Sequence, residues 1–213
     1  MTSLKFNGIT AVTLALALSP ALIAQKGPTL PDFSATEVTG TKTWKVYHSG
    51  SKLRVEPSPA AATIFAPEED KVYNLLILPE KTTCIVMKTA QAKMMRSPLE
   101  LAYGANAVRT STGSKEVEDG HTCSVLEAVT TLSDGSKVNT RIWAADDLQG
   151  APVRIDLLSD RGALKTTFRD IVLGAPDASL FKLPATCIPH EKTYQIAPNK
   201  QLPGKPGDPK GPK

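Results

Sequence analysis

The stretches KVNTRIWA (137–144), VRIDLLS (153–159) and LKTTFRDIV (164–172) decide the fold of this chain. Each one alternates. Val138, Thr140 and Ile142 share one side, as do Val153, Ile155 and Leu157, and then Leu164, Thr166 and Phe168. A period of two is the pattern of a half-buried strand. Asp134-Gly135 and Arg161-Gly162 supply turns, because glycine and aspartate accept the backbone angles that a reversal needs.

The same pattern runs outward in both directions. Upstream strands are expected over Phe33–Thr39, Thr43–His48, Lys52–Glu56, Thr63–Ala66, Val72–Leu78 and Thr83–Met87. Trp44, Val46 and His48 share a face, and Leu53 and Val55 oppose Lys52, Arg54 and Glu56. Ser114–Glu118 and Thr122–Val129 lead into the deciding stretch. Gly-Ser-Lys recurs in turns at 50–52, 113–115 and 135–137. The expected fold is mainly β: about eleven antiparallel strands in one strongly curved sheet, an open half-barrel, since a long meander must curl to bury a face. Thr89 to Tyr103 interrupts it with a short helical lid. Ala90, Lys93, Met94, Leu99 and Leu101 have rough helical spacing, Pro98 divides the segment, and Ser97-Pro98-x-Glu100 suits the start of a second helix. Ala105 to Gly113 reads as loop.

The ends differ from this middle. Lys5, the apolar run Ile9–Leu18, the break at Ser19-Pro20 and the small residue Ala24 describe a signal peptide over residues 1–24. The apolar run is too short to span a bilayer. No cysteine lies near the cleavage point, which argues against a lipid anchor. Residues 198–213 are rich in Pro, Gly and Lys, a basic tail expected to be disordered. The formal charge of +4 belongs to these ends: 20 basic and 20 acidic residues remain between Gln25 and Pro198. Such balance excludes a nucleic-acid surface, which needs clustered cations. The domain itself is expected over residues 32–190, as a monomer.

An exported chain meets an oxidising compartment, so its three cysteines suggest one disulfide and one free thiol. Three pairings are open. Cys84 with Cys123 is expected, because they lie on strands flanking the helical insertion; Cys123 with Cys187 is the alternative. No catalytic set stands out. His48, His121 and His190 are scattered, and no paired Cys or His has the spacing of a metal site. Ser49-x-x-Lys52 matches a serine–lysine nucleophile motif, but its hairpin context lacks the helix that aims such a lysine. Neither cofactor nor metal is expected, and the chain is not read as an enzyme.

A series of spacings carries more information. Trp143 is followed by Pro152-Val153-Arg154, Gly162, Thr167-Phe168-x-Asp170-Ile171 and Leu180-Phe181-x-Leu183-Pro184, and Gly50-x-Lys52-x-Arg54 opens a strand in the first half. Together these resemble the LolA/LolB-like superfamily of periplasmic lipoprotein carriers, over roughly Asp32 to Pro184. The resemblance implies an open barrel with an apolar hollow under helices, where characterised members hold acyl chains. It implies a carrier for lipid, lipoprotein acyl chains or another long apolar ligand. The partners expected are such a lipid and an envelope protein. The location expected is the periplasm, with outer-membrane association left open.

Strand parity nominates the hollow. Val46, Val55, Ile142, Ile155 and Phe168 share one face, with Met94 expected over them from the helix. The other function class is a cell-envelope scaffold that uses the same fold without a ligand. An open apolar cavity separates the two.

Overall fold

The structure, a computed structural model, describes residues 29–92, 96–160 and 162–193. The signal segment, the basic tail and Met94 lie outside the described residues. Six strands come first: β1 (Phe33–Thr39), β2 (Lys42–Ser49), β3 (Lys52–Ser58), β4 (Ala61–Ala66), β5 (Lys71–Ile77) and β6 (Thr82–Lys88). Helix α1 (Pro98–Tyr103) follows. Then come β7 (Ala107–Glu118), β8 (His121–Thr131), β9 (Lys137–Ala145), β10 (Pro152–Ser159), β11 (Gly162–Leu173), the two-residue β12 (Ile188–Pro189) and α2 (His190–Thr193).

All twelve strands form one sheet, ordered β12-β6-β5-β4-β3-β2-β1-β11-β10-β9-β8-β7. Every neighbouring pair is antiparallel except β12 with β6. The sheet is mainly β meander and is not closed: β12 and β7 are its two edges. The seam between its halves is the pairing of β1 with β11, where Thr36 Oγ1 donates to Asp170 Oδ2 at 3.0 Å.

The sheet is strongly curled. Lys71 on β5 and Arg109 on β7 line the same cavity, although nine strand steps separate β5 from β7. A flat sheet would hold them about 43 Å apart at ~4.8 Å per step. Curling brings one face inward. A straight register row crosses it: Leu173, Phe33, His48, Leu53, Phe65, Val72 and Met87 face one another on successive strands. A second row joins Leu126, Ile142 and Ile155. Apart from His48 and the partly buried Leu173, these residues, with Ala35, Val46, Val55, Ala128, Ala144 and Phe168, form the main core, which Leu99 and Ala102 of α1 complete. Each large side chain fully buried there contributes about 1.5–3 kcal/mol.

Ser97 starts α1. Its hydroxyl accepts from the Leu99 amide at 3.1 Å, and Pro98 occupies the first helical turn, where its missing N–H costs nothing. The helix packs against β7, β8, β9 and β10. Of the earlier part of the helical spacing, Ala90 lies in a 3₁₀ turn over Thr89–Gln91, and Lys93, like Met94, lies outside the described residues.

Two expectations are corrected. The segment 105–113 is not all loop, because β7 begins at Ala107 and passes through an irregularity between Ser111 and Lys115, with Gly113 at φ +76°. The disulfide is not Cys84–Cys123 but Cys84–Cys187, with Cys123 buried as a free thiol. The cause is topology. The chain passes from β6, next to one edge of the sheet, to β7 at the other edge, so β6 and β8 end nine steps apart instead of side by side.

The C-terminal segment meets Cys84 on the outer face. Asp177 caps a 3₁₀ turn over Ala178–Phe181 through the Ser179 amide at 2.8 Å. Buried Arg54 donates from Nη1 to the Leu180 carbonyl and is held by Glu56. Phe181, Leu183 and Cys187 then cover Ala62, Ile64, Tyr73, Leu75 and Cys84. A second outer cluster packs Trp143 with Cys123, Val125, Ala145 and Val153. The Arg154 guanidinium lies 4.1 Å over the Trp143 ring, fixed by Asp156 at 2.6 Å and Glu118 at 3.1 Å. The Pro152-Val153-Arg154 and Trp143 signals therefore serve the outer face.

Candidate functional site

Curling and the placement of α1 leave a cavity of about 400 Å³ at one end of the hollow. Its apolar wall comes from three directions: Leu30 from the entering chain, Leu53 and Phe65 from β3 and β4, and Leu99 and Tyr103 from α1. The mouth is made by turns, Gly50-Ser51, Pro67-Glu68 and Gly104-Ala105, with Lys71 and Arg109 beside them. Gly50 needs its turn (φ +61°), which a side chain would strain. The volume lies within the ~300–1,000 Å³ usual for ligand sites.

The polar groups near it divide into satisfied and unsatisfied. His48 donates from Nδ1 to the Pro31 carbonyl at 2.8 Å. Burial holds its pKa below the usual range, against the Pro31 bond and Asp32, so the ring is neutral at pH 7. Glu100 pairs with Arg96 at 3.2 Å; burial raises its pKa and Arg96 opposes the rise. By contrast, the Tyr103 hydroxyl and Arg109 Nε are enclosed with no hydrogen-bond partner. Burial pushes the Tyr103 pKa up, with Arg109 pulling the other way. Deeper under α1, Glu37 lies opposite Phe168 and Trp44 and is 0% exposed. Ser97 Oγ donates to Glu37 Oε2 at 3.3 Å, while Oε1 has no partner. Burial pushes this carboxyl up to about 7, and the Ser97 bond only partly offsets it.

Val46, Val55, Ile142, Ile155 and Phe168 come together in the main core, each at most 5% exposed. None of the five lines the cavity. Leu99 and Ala102 descend from α1 onto their layer. Most of the lining residues lie at strand ends and turns, where no periodicity marks them. His48 and Leu53 had a readable signal in the alternation of β2 and β3, Leu99 had one in the helical spacing, and Phe65 lay on an expected strand. Among the described residues, no group of three His, Cys, Asp or Glu is placed to hold a metal ion. No described helix is long and apolar enough to cross a membrane.

No protein-family model matches the chain, and no curated protein matches it. Solved structures do. The chain is similar to PNGF-II, at 11% identity and TM-score 0.42, over 78% of this chain and 32% of that one. It is similar to MucB, at 18% identity and TM-score 0.37, over 76% and 60%. It is similar to a LolA superfamily protein from Nitrosomonas europaea, at 11% identity and TM-score 0.34, over 72% and 89%. The family named from the sequence is thus among the solved folds that this chain resembles. The chain spans about a third of the length of PNGF-II. With TM-scores below 0.5, the functional reading of the site stands on its own geometry.

Proposed function

We propose that the protein is a non-catalytic binding or carrier module for a long apolar ligand such as a lipid acyl chain. The observation that carries this reading is the cavity of about 400 Å³ whose wall is Leu30, Leu53, Phe65 and Leu99. Each methylene transferred into such a wall gains about 0.8 kcal/mol. A partly inserted chain would therefore bind measurably. The proposed location is the periplasm, supported by the Cys84–Cys187 bridge, which suits an oxidising compartment. In this reading Val46, Val55, Ile142, Ile155 and Phe168 act as the packed floor that keeps the wall in place.

The scaffold reading has one observation in its favour: Leu99 and Ala102 of α1 pack into the main core, so that part of the hollow is filled by the protein itself. A titration with a dansylated fatty acid decides between them. Saturable binding to the wild-type protein is expected. Ala105 is exposed at the mouth, so Ala105→Trp should fill the entrance without disturbing the core. It should weaken binding about tenfold, or ~1.4 kcal/mol. No saturable binding to the wild type favours the scaffold.

A further inference from the structure

Arg109 is the cavity-lining cation without a carboxylate partner among the described residues. Lys71, the other, lies 3.7 Å from Glu69. The Arg109 guanidinium rests 5.1 Å over the Tyr103 ring, and its Nη1 reaches the Ala102 carbonyl at 3.5 Å. That arrangement occupies one side of the planar fork. The Nε side is enclosed and unanswered, as is the Tyr103 hydroxyl on the same wall. A buried donor without an acceptor is a desolvation cost left standing, so an acceptor that arrives with a ligand recovers it. The carboxylates near the cavity do not fill the role: Glu100 is held by Arg96, and Glu68 stands exposed at the mouth.

We propose that the ligand is an amphiphile with an oxyanion head, carboxylate or phosphate, gripped by the Nε edge of Arg109 and the Tyr103 hydroxyl while its chain lies on Leu53, Phe65 and Leu99. This rests on the reading of the cavity as an acyl-chain site. Guanidinium forks match both heads, because two parallel N–H donors meet two oxygens. Tyrosine adds a third donor from the side. An alcohol of equal chain length offers a single neutral oxygen and takes less from this set.

Calorimetric titration with decanoate, decyl phosphate and decanol tests the idea. The two oxyanions should bind about tenfold or more tightly than decanol. Arg109→Gln should bring the preference over decanol close to one. Of the two heads, the one whose affinity falls further in this variant is the one the site is built for. Tyr103→Phe should reduce the preference severalfold with an unchanged melting temperature, since the lost hydroxyl has no partner in the protein. Equal affinities for decanoate, decyl phosphate and decanol in the wild type would overturn the head-group site and leave chain binding standing. A preference that survives both variants overturns it as well. If none of the three binds, both readings fail together.

Discussion

With Cys84 and Cys187 both replaced by serine, the protein is expected to unfold about 10 °C below the oxidised wild type. The bridge joins positions 103 residues apart. Closing a loop of that size removes much of the unfolded chain's freedom, a contribution of about 4 kcal/mol. A domain of this length shifts by ~2–4 °C per kcal/mol. The loss has a local side too. Phe181, Leu183 and Cys187 cover the outer surface of Ile64, Tyr73 and Leu75, and the bridge pins that cover to β6. Without it, the segment is held by the Arg54–Leu180 hydrogen bond, the short pairing of β12 with β6 and apolar contact. Replacing both cysteines avoids a new thiol that could exchange with Cys123. Calorimetric scans of wild type and variant provide the comparison. Coincident melting curves would show that the bridge contributes nothing beyond the packing it accompanies.

Raising the pH from 5 to 9 should destabilise the wild type by up to about 3 kcal/mol through Glu37 alone. Its carboxyl has a pKa of about 7 in the folded protein, against an ordinary 4.5. The folded state therefore holds the proton more tightly than the unfolded chain. Stability from this source is complete below about pH 4.5 and is lost as pH rises through 7. The size follows from ~1.4 kcal/mol for each unit between the two values. Glu100, also raised by burial, adds in the same direction. Glu37→Gln keeps an acceptor for the Ser97 hydroxyl and removes the ionisation. Urea unfolding of both proteins at pH 5 and pH 9 measures the difference. The variant should have the flatter profile and should be the more stable protein at pH 9. Parallel profiles would mean that Glu37 is not the titrating group.

The strands were legible because one face of most of them is buried. Thr140 and Ile142, and Thr166 and Phe168, are buried for that reason, while Leu164 continues the alternation as an exposed residue. The start of β7 was not legible, because Ala107 to Gly113 belongs to an edge strand with no residue fully buried. Thr110, Ser111 and Thr112 carry no apolar face to read. The parity of Val46, Val55, Ile142, Ile155 and Phe168 could be read from the sequence, but the descent of α1 onto them could not. Six residues of helix have too few positions to define a stripe, and Pro98 reads as a break as readily as a start. A cavity mouth built from the turns at Gly50, Pro67 and Gly104 has no period at all. The cysteine pairing depended on strand order. A crossing from edge to edge leaves no local mark in the sequence.

The β1–β11 seam bears on how the chain comes to its native state. Most other strand pairs join neighbours in sequence through short turns, so β2 to β6 and β7 to β11 can each zip within microseconds to milliseconds as local meanders. The seam must instead bring Thr36 to Asp170, a separation of 134 residues, and it pays a closure entropy that local turns do not. β1 has β2 beside it from the start and waits for β11. Two half-sheets that fold alone and dock late would give a barrier set by their meeting. Substitutions at the seam, at Thr36 or Asp170, would then speed unfolding more than they slow the zipping of either half.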